Sequence, residues 1–528
     1  MRRDEAGAKL PGQQIVWKKR NVMINRSFDV AVIGGGLGGV QAAMAACEHG
    51  RRVYMCEATD WIGGQLTSQA VPPDENRWIE SQGATRSYLT YRRAVREAYL
   101  RDPAASELLK EKTVFCPGSS WVSRVAHDPR LAHRLLTELL APYVDRGLLT
   151  VDLETRCVHA LVRDDRILSV TVEHADGEQI CIQAAFFLDA TDTGELLPMT
   201  GTEYRVGAES RGETGEAHAP EEADAQDQQP ITWVAALQLD EERRPMKKPD
   251  SYEFFSRCTL KGDPIFSWNA WGAHGKRLFS MFDGEVKDNP LGLWTYRRIQ
   301  YPPYFTDGRQ EVSLLNWSQN DYIFGNVIDD PNREQNLEKA RELTLSCAYW
   351  LWEQGYPVSL KADILGTEDG LAKAPYIRES RRILARKTIL EEEISAEHQK
   401  VLPRLADSVG VGHYAIDIHM TTRTRTTMYA PALPFEIPMH AMIPVRMQNL
   451  LPAAKNIGAT HITGGCFRLH PVEWTVGEAA GHLAAFCLER NLLPADAADR
   501  HCGEFQQVLE SHGFQLHWDL PDILDEKL

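Results

Sequence analysis

The spacing of apolar and polar residues changes period several times along the chain, and each change predicts an element. Phe28-Asp-Val-Ala-Val-Ile-Gly34 is a β-branched, apolar run that stops on glycine, the pattern of a strand buried on both faces. Gly38 to His49 follows as an alanine-rich, helix-forming stretch, with Gly50 placed to end it. Arg52–Glu57 is a second short strand, so the start of the chain predicts a β-α-β unit. Amphipathic spacing predicts helices over Ser87–Leu100 and Leu131–Leu140, the second with Leu131, Leu135, Leu139 and Leu140 on one face. The period then drops to two. Val158–Val162, Ile167–Val172 and Gln179–Leu188 predict a meander with Asp176-Gly177 as a hairpin turn. Residues 205–230 carry no sustained apolar period and read as loop. Residues 231–430 are rich in aromatics, with seven of the thirteen tryptophans between Trp233 and Trp352, which predicts a core of their own. Inside that block Asp330-Pro331 opens a helix that stops at Gly355, and near the end Pro471 opens one over Val472–Leu488.

Composition narrows the functional classes. With 43% apolar and 25% charged residues over 528 positions, the chain is globular and long enough for more than one folding unit. A formal charge of −16 gives nucleic-acid binding no electrostatic support. The longest apolar stretch, 31–47, is interrupted by glycines and Gln41 and falls short of the roughly 18 residues of a membrane span. Residues 1–27 mix both charge signs with no apolar segment, which predicts a mobile leader rather than a secretory signal. The ten cysteines include no C-x-x-C, a usage that suits the reducing cytoplasm and predicts neither a disulfide framework nor a zinc site.

The chemistry begins at Gly34-Gly-Gly36-Leu-Gly38-Gly39, which contains G-x-G-x-x-G through Gly34, Gly36 and Gly39. The first glycine permits a tight turn, the second lets the backbone approach a pyrophosphate, and the third packs helix on strand. The N-terminus of the following helix offers N–H groups and partial positive charge to the phosphates. Glu57, at the end of the second strand, is placed to accept hydrogen bonds from ribose hydroxyls and would repel a 2′-phosphate. Trp61-Ile-Gly63-Gly64-Gln65-Leu resembles the glycine pair that follows this acid in FAD enzymes of the glutathione-reductase-like superfamily. Phe187-Leu-Asp189-Ala-Thr-Asp192-Thr-Gly194 resembles that superfamily's second motif, and Leu450-Leu-Pro-Ala through Lys455-Asn-Ile-Gly458 to Pro471–Gly481 its third. More narrowly, Gly83-Ala-Thr-Arg86-Ser-Tyr88, Gly207–Gly215 and Tyr376-Ile-Arg378-Glu-Ser-Arg381-Arg382-Ile resemble the FAD-dependent oxidoreductase family. The resemblance implies FAD as cofactor and an α/β fold: a Rossmann-like FAD-binding domain, with a parallel sheet, helices and a β-meander, plus an inserted α+β substrate domain. The motif order predicts the FAD domain from 28–200 and 435–492, the substrate domain from 201–434, and a C-terminal segment at 493–528. Gly34, Gly36, Gly38, Gly39, Glu57, Gly63, Gly64, Gln65, Asp189 and Gly194 are then expected at the cofactor. The backbone amides of Val472 and Glu473 are expected to face the flavin from the first turn of the late helix.

Only one nucleotide loop is visible, with no redox cysteine pair and no G-x-S-x-G elbow. Electrons are therefore expected from a small organic substrate that gives hydride to flavin N5. A monooxygenase using external NAD(P)H, or a flavoprotein with structural FAD, are the competing expectations. His470, just ahead of the late helix, is the expected proton acceptor. Arg378 and Arg381, read as a helical stretch, and Arg86 beside Tyr88 are expected to orient substrate. His413, Asp417 and His419 lack a supporting pattern, so no metal is expected. The sequence does not define an oligomeric state.

Overall fold

The computed structural model describes residues 24–287, 289–402 and 404–520, so most of the expected leader and residues 521–528 lie outside the described residues. β1 (Ile24–Ile33), α1 (Leu37–Glu48) and β2 (Val53–Cys56) form the expected β-α-β unit, with β1 and β2 parallel from Val30↔Val53 to Ile33↔Cys56. β1 starts four residues before Phe28 because Ile24–Ser27 pair with Ile180–Gln183. That end of the strand is largely exposed, so no apolar run announces it. Two helices follow, α2 (Arg86–Leu100), capped by Thr85, and α3 (Pro129–Asp145), capped by Asp128. β3 (Leu149–Asp152), β4 (Thr155–Arg163), β5 (Arg166–His174) and β6 (Gln179–Asp189) complete a sheet of order β3-β2-β1-β6-β5-β4. β3, β2, β1 and β6 run parallel, while β4, β5 and β6 are the antiparallel meander.

After β6 the chain builds a second core around Trp233, Leu237, Trp294, Leu314, Tyr322, Leu343 and Leu351. Its sheet joins β7 (Ala235–Leu239), β8 (Arg298–Gln300), β9 (Val312–Leu315) and β10 (Val358–Leu360) in the order β8-β9-β7-β10, all antiparallel. Against it packs α4 (Arg333–Glu353), which begins two residues beyond Pro331. The Asp330 carboxylate is engaged by the amides of Asn326 and Asn332, so Asp330-Pro331 closes a turn and Asn332 becomes the cap. Residues 376–381 are extended rather than helical, because Tyr376 exchanges backbone hydrogen bonds with Thr232. The second core ends at Ile377, and Ile389, Ile394, Val409, Ile416, Ile418, Ala430 and Ala432 belong to the first. Packing thus changes over well before the expected boundary at 434.

The chain returns through β11 (Leu450–Pro452), which pairs with Phe187–Asp189 where β5 has ended. Asn449 fills that junction: its side chain bonds the Ile167 amide and the carbonyls of Ile167 and Ala185. α5 (His461–Phe467) and α6 (His470–Arg490) follow. α6 crosses α1 at backbone contact, since a Cβ on Gly477 would lie 2.1 Å from the Gly38 carbonyl oxygen and one on Gly481 2.3 Å from that of Ala42. Both helices are buried on nearly every face, α1 between sheet and α6, so neither is amphipathic. No helix among the described residues is long and apolar enough to cross a membrane.

Gly477→Ala should therefore destabilise the protein by roughly 1–3 kcal/mol, the usual cost of overpacking. Gly464→Ala, where a Cβ meets nothing within 4 Å, should leave stability unchanged or slightly higher. Thermal melts of both variants check the pair, and equal melting points would show that the crossing yields easily.

Candidate cofactor and active site

β1 delivers the chain to Gly34, whose φ of +99° belongs to the left-handed region and whose amide donates to the Cys56 carbonyl. A Cβ there would lie 2.5 Å from the Ala190 backbone, one on Gly39 2.0 Å from the Gly34 oxygen, and one on Gly38 1.8 Å from the Ala453 oxygen. These three glycines are demanded by the protein itself. Gly36, the N-cap of α1, differs: a Cβ would meet only the Ala190 oxygen, at 3.6 Å. It lines a cleft whose open space, including its mouth, is about 860 Å³. The first core contributes Gly34, Gly36, Glu57, Gly64 and Asp192 to this cleft, and the second Val327, Arg333, Leu337 and Ile377. Gly63 and Gly64, both at positive φ, fold over the loop, with the Gly63 amide on the Gly35 carbonyl at 2.8 Å. Glu57 accepts from the Gly35 amide and from the amide and hydroxyl of Thr59, each at 2.9 Å. Burial nevertheless pushes its carboxyl up to about 7, and hydroxyl donors at the cleft would favour the ionised form.

Deeper in, a charged cluster joins the three motifs. Lys455 donates to Asp192 at 2.7 Å and to Glu473 at 3.2 Å. Gln65 donates to Glu473 and to the Arg468 carbonyl, and Gln69 to Asp192 at 2.7 Å. Burial alone would lower the Lys455 pKa, but the two carboxylates carry it above its ordinary value. Burial raises that of Glu473. The side-chain oxygens of Gln65 and Gln69 are buried without a partner, acceptors aligned with a ligand that brings donors. The open wall at Gly36, the free first-turn amides of α1, Glu57 and these two amide oxygens fit FAD, with Lys455 and Asp192 as members of the site that sequence reasoning left without a role. A lysine inside the otherwise apolar Leu450–Ala454 and Ile457–Ala459 surroundings is the signal that could have found them.

Several expected site residues sit elsewhere. His470 is fully buried; its Nδ1 accepts from the Asp74 amide and its Nε2–H donates to the Val71 carbonyl, both at 3.1 Å. No nitrogen remains for substrate, and burial drops its pKa to about 4. Arg378 is enclosed in the second core, bonded to Asp321 at 3.0 Å, to Thr232 and to the Pro230 carbonyl. Arg86 is exposed at the start of α2 and donates to the Ser511 carbonyl, away from the cleft. Asp189 turns inward, accepting from Thr191 and the Leu196 amide, so it holds the turn after β6 while Asp192 reaches the cleft. Gly194, at φ +65°, closes that same turn. The amides of Val472 and Glu473 both donate to the Leu469 carbonyl, because α6 begins earlier than expected; only the Glu473 side chain joins the site.

Where the two cores meet, a polar chain continues from this cluster. Arg468 donates to Tyr376 at 2.5 Å and to the Asp417 carboxylate at 3.1 Å. His419 lies beside Asp417, with Nε2 at 3.6 Å, and places Nδ1 on Asp321 at 2.7 Å; Asp321 in turn holds Arg378. Arg297 pairs with Asp74 at 3.1 Å. Despite burial, Arg378 and His419 hold the Asp321 carboxyl down to about 2, and His419 and Arg468 hold that of Asp417 far below its usual range. His419 keeps 20% of its side chain accessible, more than its acidic neighbours. His413 is separated from them, packed on Trp78.

A nucleotide loop on a parallel sheet, an acid at the second strand and a buried charged cluster at the cleft define a dinucleotide-binding flavoprotein. The chain belongs to the FAD dependent oxidoreductase family, whose model matches residues 29–509, and FAD is its cofactor. Over short stretches it is similar to an N,N-dimethylglycine/sarcosine dehydrogenase of Chromohalobacter salexigens (46% identity over 59 residues, 11% of this chain and 8% of that protein). A glutathione reductase of Schizosaccharomyces pombe matches at 38% over 55 residues, 10% of this chain and 12% of that protein. Among solved structures, a geranylgeranyl bacteriochlorophyll reductase-like protein of Thermoplasma acidophilum aligns over 93% of this chain and 85% of its own at 12% identity, with a TM-score of 0.34. The matched stretches thus span a small fraction of the curated relatives' lengths.

Gly36→Ala should fold normally yet lose FAD on desalting, whereas Gly39→Ala should fail to fold; FAD retained by Gly36→Ala at the wild-type level would remove the pyrophosphate from this loop. His470 has its own signature. The folded pKa is about 4 against an ordinary 6.5, so the unfolded chain binds the proton first. Its contribution is full above the ordinary value and declines as pH falls toward the folded one. Relative to His470→Gln, the wild type should lose about 2 kcal/mol of stability between pH 7 and 5, read from denaturant titrations. A difference independent of pH would contradict the buried, neutral assignment.

Proposed function

We propose that this chain is an FAD-dependent dehydrogenase or oxidase that takes hydride from carbon bearing a hydroxyl or amine on a small organic substrate. The observation that carries this reading is His419. It sits where the two cores meet, partly accessible, with Nδ1 held by Asp321 at 2.7 Å. That bond places the proton on Nδ1 and leaves Nε2 as the acceptor, the arrangement of an oriented general base. His419 takes the substrate O–H or N–H proton as the carbon loses hydride. Arg468 and Tyr376 orient the substrate beside it. Arg297, Arg378 and Arg468 are paired with Asp74, Asp321 and Asp417, so the charges of these three pairs cancel and suit a neutral or zwitterionic substrate.

FAD, when bound, supplies the hydride acceptor. Gly34, Gly36, Gly39, Glu57, Gly63 and Gly64 hold its nucleotide half, and the Gln65–Glu473–Lys455–Asp192 cluster borders its reactive half. Lys455 keeps a fixed positive charge there, which favours negative charge arising on electron uptake. In this reading 28–200 and 435–492 form the FAD domain and 201–434 the substrate domain, with the part after Ile377 buttressing the former. Ten free cysteines suit a cytoplasmic setting.

Anaerobic mixing of the FAD-loaded protein with small alcohols, hydroxy acids and amines should bleach the flavin without NAD(P)H. His419→Gln should slow that bleaching at least about 10²-fold with FAD content unchanged. An unaltered rate removes His419 from the chemistry. Bleaching only on addition of NADPH replaces this reading with that of a monooxygenase.

A further inference from the structure

On the side of α1 and α6 remote from the nucleotide loop, three histidines converge. His49 caps the C-terminus of α1, His482 lies within α6, and His512 caps the helix Cys502–Ser511. One nitrogen from each ring lies within 4.8 Å of the other two. Nε2 of His49 is 3.0 Å from Nδ1 of His482, and the His482 and His512 ring centres are 4.2 Å apart. None of these residues takes part in the FAD cleft or the junction around His419.

We propose that His49, His482 and His512 form a binding site for a divalent transition metal of the zinc class. Three imidazoles are the ligand set such ions prefer over calcium or magnesium, which favour oxygen. The closest nitrogen pair, at 3.0 Å, is near the separation of about 3.3 Å that tetrahedral bonds of about 2.0–2.1 Å would impose. His482 is fully buried; its Nδ1 is the nitrogen turned to His49 and would be the ligand, while its Nε2 has no hydrogen-bond partner. The His49–His482 bond needs one ring to donate and the other to accept, so it engages one nitrogen of His482 and leaves the other unsatisfied whichever tautomer is chosen. A cation takes a lone pair from each ring and removes the need for one imidazole to donate to another.

Glu48 bonds Nδ1 of His512 at 2.8 Å, the carboxylate–histidine pairing that fixes a ligand's tautomer and turns its other nitrogen toward the ion. A metal here would tie α1, α6 and the C-terminal helix together, three elements the chain brings in from distant positions. It would brace the far ends of the two helices whose near ends border the cofactor cleft.

The test uses untagged, FAD-loaded protein stripped of metal and dialysed against zinc chloride. Elemental analysis should find one zinc per chain in the wild type and in His398→Ala, and less than a tenth of that in His512→Ala. His512 is partly exposed, so this variant keeps its fold; FAD content equal to wild type verifies that. Zinc should raise the melting temperature of the wild type by several degrees and leave His512→Ala unmoved. Equal zinc in wild type and His512→Ala overturns the proposal. So does loss of zinc in His398→Ala, which would place the ion at the exposed group of His218, Glu391 and His398.

Discussion

The close crossing of α1 and α6 is the constraint on which the rest of the molecule depends. Gly38, Gly477 and Gly481 present bare backbone to each other and to Ala42, at separations that leave no room for a Cβ. Each glycine inside a helix costs about 1 kcal/mol relative to alanine, and the chain accepts that cost because nothing larger fits. α1 begins directly after the nucleotide loop, and α6 begins with His470 and Glu473. The contact therefore sets the distance between the nucleotide loop and the segment that carries Glu473 into the charged cluster. β11 enforces the same spacing from the sheet side by pairing with the end of β6.

A second feature is the amount of charge buried between the cores. Arg297–Asp74, Arg378–Asp321, Arg468–Asp417 and Lys455 between Asp192 and Glu473 are all largely withdrawn from water. Such pairs contribute little net stability, since desolvation offsets their attraction, but removing one partner costs about 3–5 kcal/mol. Their value is geometric. Each partner admits few arrangements of its neighbour, so a loop-borne residue such as His419 is held in one orientation although no regular element carries it. The same logic disposes of the expected roles of Arg378 and His470. Both are tied to the protein, Arg378 through its two terminal guanidinium nitrogens to hold Asp321, and His470 through both ring nitrogens to fasten α6 to the segment Val71–Asp74.

Much of the fold was legible in sequence because its signals are local. The buried strand ending at Gly34, the alanine-rich helix, the meander and its Asp176-Gly177 turn depend on periodicity and on residues with restricted backbones, which act over a few positions. The glycines of the nucleotide loop and Glu57 were legible for the same reason. The stretch of Arg378 and Arg381 was misread as helical because its arginines suit a helix, whereas the backbone at Tyr376 just before it is claimed by Thr232, a residue far away in sequence.

The residues themselves determined the β-α-β start and the cofactor class. Only the tertiary structure decided which polar side chains are tools and which are fastenings. Spacing along the chain brings Val472, Glu473 and His470 to a helix start, but a start at His470 rather than Pro471 commits the two amides to Leu469. Asp189 and Asp192 are alike in sequence, and the turn after β6 points one inward and the other at Lys455. His419 and Asp321 are nearly a hundred residues apart and become a pair only when the second core closes on the first. A side chain's chemistry is set by its partners and by how much water remains around it, and neither exists until distant segments pack.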